Sequence, residues 1–443
     1  MDKFFKISER GSTVRAEIIG GITTFFAMAY IIFVNPGLLS QTGMGFNAVL
    51  LATCLSAALG TFLTAMLANV PFAQAPGMGL NAFFTYTICF SMGYTWQQGL
   101  AIVLLSGILF LSIAVSPIRS MIIRSIPSFL KNAISAGIGL FIAFIGLLNV
   151  GLISFSGGVP ALQFSLVQED GSKLMNSAGI LAIIGLLITA ILLAYKVKGA
   201  IFIGIIITTI IGIPMGETVY TPQSFSFSVI GETFGKLSFS GLTEVNGGVV
   251  ALITAIISFA LVDCFDTVGT LIGTATNAGM TDKNGNLPGG DRALIADAIA
   301  TCCGAVIGTS TVTTFVESST GIAEGARTGL SAIVVSVLFL LSCFAAPVAH
   351  VVPQAATAPA LIIVGVLMLK GATEVNWGDF EEACPAFLVI SMMPFAYSIS
   401  DGIGFGFISY SIIKVARGKA KEVPVLVYII SVLFILKYIL GNI

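Results

Sequence analysis

Charge is the scarcest property of this sequence. Of 443 residues only 9% are Asp, Glu, Lys or Arg, against 56% hydrophobic ones, and the mean hydropathy is +1.02. Such a chain cannot cover a water-facing surface, which excludes a soluble globule and indicates an all-α polytopic membrane protein. A β-barrel is excluded because it would show segments of about ten residues with alternating polarity, whereas the apolar runs here are continuous. The formal net charge is -1 and there is no basic arm, so nothing argues for nucleic acid as a partner. Histidine is nearly missing. His350 is the single copy and lies near the outer end of a span, which leaves no buried imidazole relay. The seven cysteines sit in apolar segments without a CxxC pair, so neither a disulfide framework nor a zinc site is expected, and they read as small packing residues.

What is present is a long series of apolar runs. They lie near 16–39, 46–70, 76–92, 97–116, 131–150, 177–195 and 200–213, and, after a polar loop to about 246, near 247–272, 291–309, 313–325, 327–346, 355–370, 383–399 and 402–417. A further apolar stretch at 423–441 fits a fifteenth span, an interfacial helix or part of the last hairpin. The N-terminus is charged and lacks a cleavable apolar leader, so it reads as a retained cytoplasmic tail. With about 14 spans and that tail inside, 17 of the 20 Lys and Arg residues fall on the cytoplasmic side, leaving Lys173, Lys236 and Lys437. The expected location is therefore the cytoplasmic membrane, multi-pass.

Two sets of seven spans joined by a loop give the second set the opposite orientation to the first, which is the arithmetic of an inverted repeat. In each set the third span is short and broken: "PFAQAPGMGLNAFFTYTICF" in one, "GTSTVTTFVESSTGIAEG" in the other. Gly77, Gly79, Gly321 and Gly325 suit irregular backbone there. Broken segments at matching positions of two repeats point to a binding site near the midplane, where freed backbone groups can face a ligand.

Acids inside spans carry the rest of the reading. An acid at the bilayer centre costs roughly 2.5 to 3.5 kcal/mol on insertion scales, so such groups usually face a cavity, a partner or a transport path. No acid occurs between Glu17 and Glu169, so the intramembrane acids all come from the second set: Asp263, Asp266, Asp297 and Glu317. The first set offers neutral polarity at Gln74 and Asn81, and Asn81 matches Glu317 under the repeat. Asp263 and Asp266 are three apart, on adjoining parts of one helix face. Two ionised carboxylates that close repel in low dielectric, so one is expected to hold a proton, and one to bond a hydroxyl such as that of Thr267 or Thr270. Asp297 is expected to brace the site or join in coupling, and Glu324 with Arg327 to form an ion pair at the cytoplasmic edge. A planar heterocycle with N–H donors on one edge and acceptors on another would suit a carboxylate, an amide and helix-end N–H groups. Phe83, Phe265 and Phe315 are near enough to supply a stacking face.

Taken together, "APGMGLNAFFTY", "LVDCFDTVGTLIGTATNAGM", "GTSTVTTFVESSTGIAEGARTG" and "VNWGDFEEACPAFLVISMMPFAYSISDGIGFGFISY" resemble the AzgA-like purine permeases of the nucleobase-ascorbate transporter superfamily. The resemblance spans nearly the whole chain; Cys264 departs from the commoner "DLFDT". It implies fourteen segments in two inverted repeats. A core domain would comprise 1–126 and 247–350, and a gate domain 127–246 and 351–443, with substrate between them against the broken third and tenth segments. It further implies substrate contacts from Asp263, Glu317 and Asn81, with Phe315 and Phe83 beside them. Asp266 and Asp297, with Thr267 and Gln74, would couple or support. The implied activity is proton-coupled import of purine bases, guanine and hypoxanthine before adenine, with the proton as coupling ion and no other cofactor. A homodimer is compatible with it. The rivals are an anion transporter of the same architecture, an oligomeric channel, and a lipid-modifying transferase using "DCFD" to hold magnesium. The acids repel anions, and the cations a diphosphate would need, Lys283 and Arg292, lie in a loop beyond the span.

Overall fold

The computed structural model describes residues 2–116, 125–156, 159–163, 176–219, 226–245, 248–282, 287–345 and 349–440. Arg119, Arg124, Lys173 and Lys283, which enter the topology count, lie outside these residues. After one turn at Asp2–Phe5 the chain forms α1 (Val14–Met28), α2 (Ile31–Leu39), α3 (Phe46–Ala68), β1 (Gln74–Pro76), α4 (Met78–Ala82), α5 (Trp96–Val115), α6 (Ser128–Asn149), a hairpin of β2 (Ile153–Ser156) and β3 (Val159–Leu162), α7 (Ser177–Ala194) and α8 (Ala200–Met215). The second part comprises α9 (Gly248–Asn277), α10 (Gly290–Ile307), β4 (Val312–Thr314), α11 (Ser318–Ala323), α12 (Gly329–Ser342), α13 (Gln354–Met368), α14 (Phe380–Phe395), α15 (Ile399–Ala416) and α16 (Val425–Leu440). Among the described residues eight helices are long and apolar enough to cross a membrane. Leu187, Ile191, Ile210 and Ile213 on α7 and α8 are exposed, as lipid-facing side chains are. The stretch left open in the sequence is a helix, α16, which packs on α15 and α9.

The fold is not purely helical, and the exception lies at its centre. β1 and β4 pair antiparallel with Gln74 opposite Thr314, Ala75 opposite Thr313 and Pro76 opposite Val312. Flanking main-chain bonds extend the pair: Phe315 N–H donates to the Ala73 carbonyl at 3.0 Å and Gly77 N–H to the Thr311 carbonyl at 3.0 Å. Open strands cannot survive in hydrocarbon, so two short strands from distant parts of the chain satisfy each other. Each strand then runs into a short helix, α4 and α11, and α4 continues through Phe83–Ser91 in wide π turns.

The helices pack in two groups. In one, α3 contacts α10 and α12, α5 contacts α9 and α10, and α1 contacts α11 and α12. In the other, α6 contacts α13 and α14, α7 contacts α8 and α13, and α14 contacts α15. At the end remote from Val14 the groups meet through Tyr86, whose hydroxyl lies 3.0 Å from Gln41 Oε1 and 3.4 Å from Asn149 Oδ1. Its ring is edge-on to Phe141 and Tyr397, with centroids 6.2 and 5.6 Å away. At the other end Glu17, fully buried in α1, accepts the backbone N–H groups of Arg327 at 2.8 Å, Thr328 at 3.1 Å and Ser331 at 3.2 Å, and so caps α12 from another helix. The expected Glu324–Arg327 pair is not the arrangement adopted. Glu324 pairs with Lys198, while the Arg327 guanidinium donates to the Ile322 carbonyl of α11 and to the Ala326 carbonyl that follows it.

Glycine matters at Gly321, where a Cβ would meet the Thr24 hydroxyl and the Gly20 carbonyl of α1 far inside van der Waals contact. Gly321→Val is expected to destabilise the protein by about 1 to 3 kcal/mol or more, read as a lower melting temperature in detergent. A wild-type melting temperature would show slack between α1 and α11.

Candidate functional site

The strand pair, the α1–α2 junction and α9 form one wall of a cavity of about 1000 Å³, and α6 and α13 form the other. This is the upper end of the usual range for small-molecule sites, roughly 300 to 1000 Å³. Arg327, Lys370 and Glu374 stand at its mouth, on the face that holds the first turn of α1.

Glu317 lines this cavity at the start of α11, where the chain turns from extended to helical backbone. The Tyr30 hydroxyl donates to its Oε1 at 2.7 Å, and the Tyr30 and Phe315 rings lie 6.5 Å apart. Tyr30 occupies the break between α1 and α2, which aims its long side chain across at α11. Asp266, Phe265 and Phe315 also line the cavity.

The other predicted residues lie behind this wall. Asp263 is 2% exposed and its Oδ2 takes the Thr301 hydroxyl of α10 at 2.9 Å, so it does not reach the cavity as the sequence reading expected. Three helical residues turn a side chain through about 300°, and the remaining 60° is enough to send Asp266 forward and Asp263 sideways. Asn81 is also buried: its amide donates to the Pro76 carbonyl at 3.3 Å and its Oδ1 accepts from Ser310 at 2.8 Å. It links the two broken segments and does not line the cavity. Phe83 is buried against Phe259, with ring centroids 4.5 Å apart, and offers no face to a ligand in the cavity.

Asp297 is the best-satisfied acid of the group. Its Oδ1 accepts from Gln74 Nε2 at 3.0 Å and from the Thr314 hydroxyl at 2.9 Å, and its Oδ2 accepts from the Thr267 hydroxyl at 2.8 Å. Because Thr267 spends its one proton on Asp297, the 2.8 Å contact between Thr267 and Thr313 has Thr313 as donor. One buried carboxylate thus ties α9, α10, β1 and β4 together, with Asp297, Thr267 and Gln74 in one hydrogen-bonded network.

Sequence reasoning missed Tyr30 and Lys131. The single tyrosine in the middle of the first span was the available signal for Tyr30. Lys131, in the first turn of α6, counted only as a flanking cation, yet it lines the cavity with its Nζ 5.8 Å from the centre of the Phe265 ring.

A cavity between two helix groups, with one acid on a broken segment and one on α9, suits a protein that carries solutes, and comparison with known proteins agrees. The Permease family profile matches residues 15–405. The chain belongs to the Permease family. As a permease it is a multi-pass membrane transporter and not an enzyme. It is similar to the adenine permease AdeP of Escherichia coli K12, with 40% identity over 99% of this chain and 96% of that protein. It is equally collinear with the guanine/hypoxanthine permease PbuG of Bacillus subtilis 168, at 42% identity over 99% of both chains. Among solved structures, the transmembrane domain of the cyanobacterial bicarbonate transporter BicA matches with a TM-score of 0.61 and 15% identity over 94% of this chain and 97% of that one, a likeness of fold.

Two variants separate the site from its frame. Tyr30→Phe removes one donor to a carboxylate and is expected to weaken substrate affinity about tenfold while the protein accumulates normally. Asp297→Ala strands Gln74, Thr267 and Thr314 in the interior and is expected to cost about 3 kcal/mol or more, so that little folded protein reaches the membrane. Measuring membrane abundance beside affinity tests both; normal abundance of Asp297→Ala would remove its bracing role.

Proposed function

We propose that this permease imports purine nucleobases across the cytoplasmic membrane together with protons, with guanine and hypoxanthine preferred. The observation that carries this reading is the pair of acids on the cavity wall, Glu317 beside Tyr30 and Asp266 on α9, in a chain collinear with purine permeases. Carboxylates accept the N–H groups of a base edge, and Phe265 and Phe315 offer aromatic surface beside them. Similarity to AdeP supports adenine as the second reading. An anion as cargo is disfavoured despite the likeness to BicA, because the acids line the cavity.

In this reading the chain has fourteen segments in two inverted repeats, and the β1–α4 and β4–α11 units are the broken third and tenth. The core is 1–126 with 247–350, the gate 127–246 with 351–443, and the N-terminus is cytoplasmic. The two packing groups of helices support that division. The cavity then opens inward, and the Tyr86 contacts to Asn149 and Tyr397 close the outer side. Transport requires those contacts to break as the core moves against the gate. Glu317 and Asp266 bind the base. Asp263 and Asn81 act from behind the wall, through Thr301 and Ser310. Asp266 is also placed to carry the coupling proton, since it faces the cavity where water and substrate reach it.

Uptake of radiolabelled hypoxanthine, guanine and adenine by a strain lacking its own purine permeases tests the proposal. Saturable purine uptake that a protonophore abolishes is expected; its absence from well-expressed protein would refute the reading. Glu317→Gln is expected to lower uptake at least a hundredfold with membrane insertion intact, and wild-type affinity in that variant would move the binding role elsewhere.

A further inference from the structure

One helix stands outside the transport fold as described so far. The matched family region ends at residue 405 and the seven-plus-seven series of apolar runs ends with α15, yet Val425–Leu440 forms a further apolar helix, α16. It lies antiparallel along α15 in a single register. At the inner end the Tyr428 hydroxyl donates to the Ala420 carbonyl of the connecting turn at 3.0 Å. Further along, the Ser411 and Ser431 hydroxyls share a hydrogen bond of 2.9 Å, and a Cβ on Gly404 would run into Phe434 and the Tyr438 hydroxyl. At the outer end the Lys437 ammonium donates to Asp401 Oδ1 at 2.7 Å, and the Tyr438 hydroxyl donates to the Asp401 carbonyl at 3.3 Å. The 16 residues of α16 rise about 24 Å, from the turn below α15 to its first turn, so α16 crosses as far as α15 does.

Asp401 and Lys437 are an acid and a cation inside apolar helices, with side chains only 24% and 14% exposed. Losing either strands the other, so such a pair has its place because both are kept. The opposite flank of α16 meets the other helix group: α16 packs on α9, the helix of Asp266, as well as on α15. Val427, Ile430 and Phe434 belong to the same buried apolar cluster as Phe259, Leu261 and Phe265 of α9. The ion pair, the serine pair and the close approach at Gly404 all join α16 to α15, whereas α9 meets it through apolar packing.

We propose that α16 is a fifteenth membrane span and the rail along which α9 moves, with Lys437 and Asp401 as the positioning pair that fastens it to α15. This rests on the reading that the core moves against the gate. A rail fixed to one group guides the other without touching the substrate. It also covers the seam where α9 meets α15, which keeps lipid tails from entering between the two groups as they shift.

Three measurements test this. Alkaline phosphatase fused after Ile443 is expected to be active and green fluorescent protein at the same place dark, with the reverse for fusions after Lys421; a fluorescent C-terminal fusion overturns the fifteenth span. Hypoxanthine uptake, per molecule in the membrane, is then compared with hypoxanthine binding to the purified protein. Lys437→Met is expected to lower kcat about fivefold or more while Kd stays within about twofold, and Lys437→Arg to restore most of the rate. An unchanged kcat, or a Kd that rises in step with the loss, overturns the positioning role while purine transport stands. Last, Ser411→Cys with Ser431→Cys, joined by oxidation, is expected to keep at least about half of the uptake, because α16 and α15 travel together. Uptake lost on oxidation and regained with dithiothreitol, or failure of the two thiols to join, overturns the rail even where Lys437→Met does not accumulate. Absence of purine uptake by the wild type overturns the rail and the underlying reading together, and the fusions still decide the span.

Discussion

The pairing of β1 with β4 is the constraint on which this structure depends. A bilayer offers no water to open backbone, so two interrupted segments can exist inside it only if each supplies the other's hydrogen bonds. Six residues do this, three from each half of the chain. Their side chains add a second tie: Gln74 and Thr314, opposite each other in the pair, both donate to the same oxygen of Asp297. Backbone pairing fixes the register, and the shared carboxylate fixes the pair against α10. From that frame α11 begins at Glu317, and the α1–α2 break brings the Tyr30 hydroxyl to meet it.

The acids of the site therefore divide by the number of donors they collect. Asp297 receives three and is committed to structure, whereas Glu317 receives the hydroxyl of Tyr30 and fronts the cavity. Glu17 shows the same logic on α1, with its carboxylate spent on the N–H groups that open α12. Buried acids are costly to the extent that they lack donors, and among the described residues Asp263 is the one whose second oxygen, Oδ1, is buried without a partner.

Much of this frame is legible in the sequence. The apolar runs give the helices, with edges that move by a few residues, and the glycine-rich breaks fall where the strands and short helices form. Glu317 and Asp297 are recognisable because an acid in an apolar run has few uses. What cannot be read is direction. Asp263 and Asp266 look equivalent in "DCFD", and only the position of α10 beside one and the cavity beside the other tells them apart. Asn81 and Phe83 sit in the right segment but turn inward, toward Ser310 and Phe259. Lys131 looks like an ordinary flanking cation because the reach of its side chain up to Phe265 is set by a helix more than a hundred residues away. Side-chain facing depends on partners remote in the sequence, and a single chain read locally does not contain them.

The Asp297 knot also bears on failure. Gln74, Thr267 and Thr314 reach it from three separate elements and Asp297 itself belongs to a fourth, so the centre of the protein forms together or not at all. A chain missing any one of these ties leaves polar groups stranded in hydrocarbon, which favours unfolding over a loosened copy that still spans the bilayer. For a membrane that must hold an ion gradient, that is the safer defect: a damaged molecule is removed by quality control before it can become a leak.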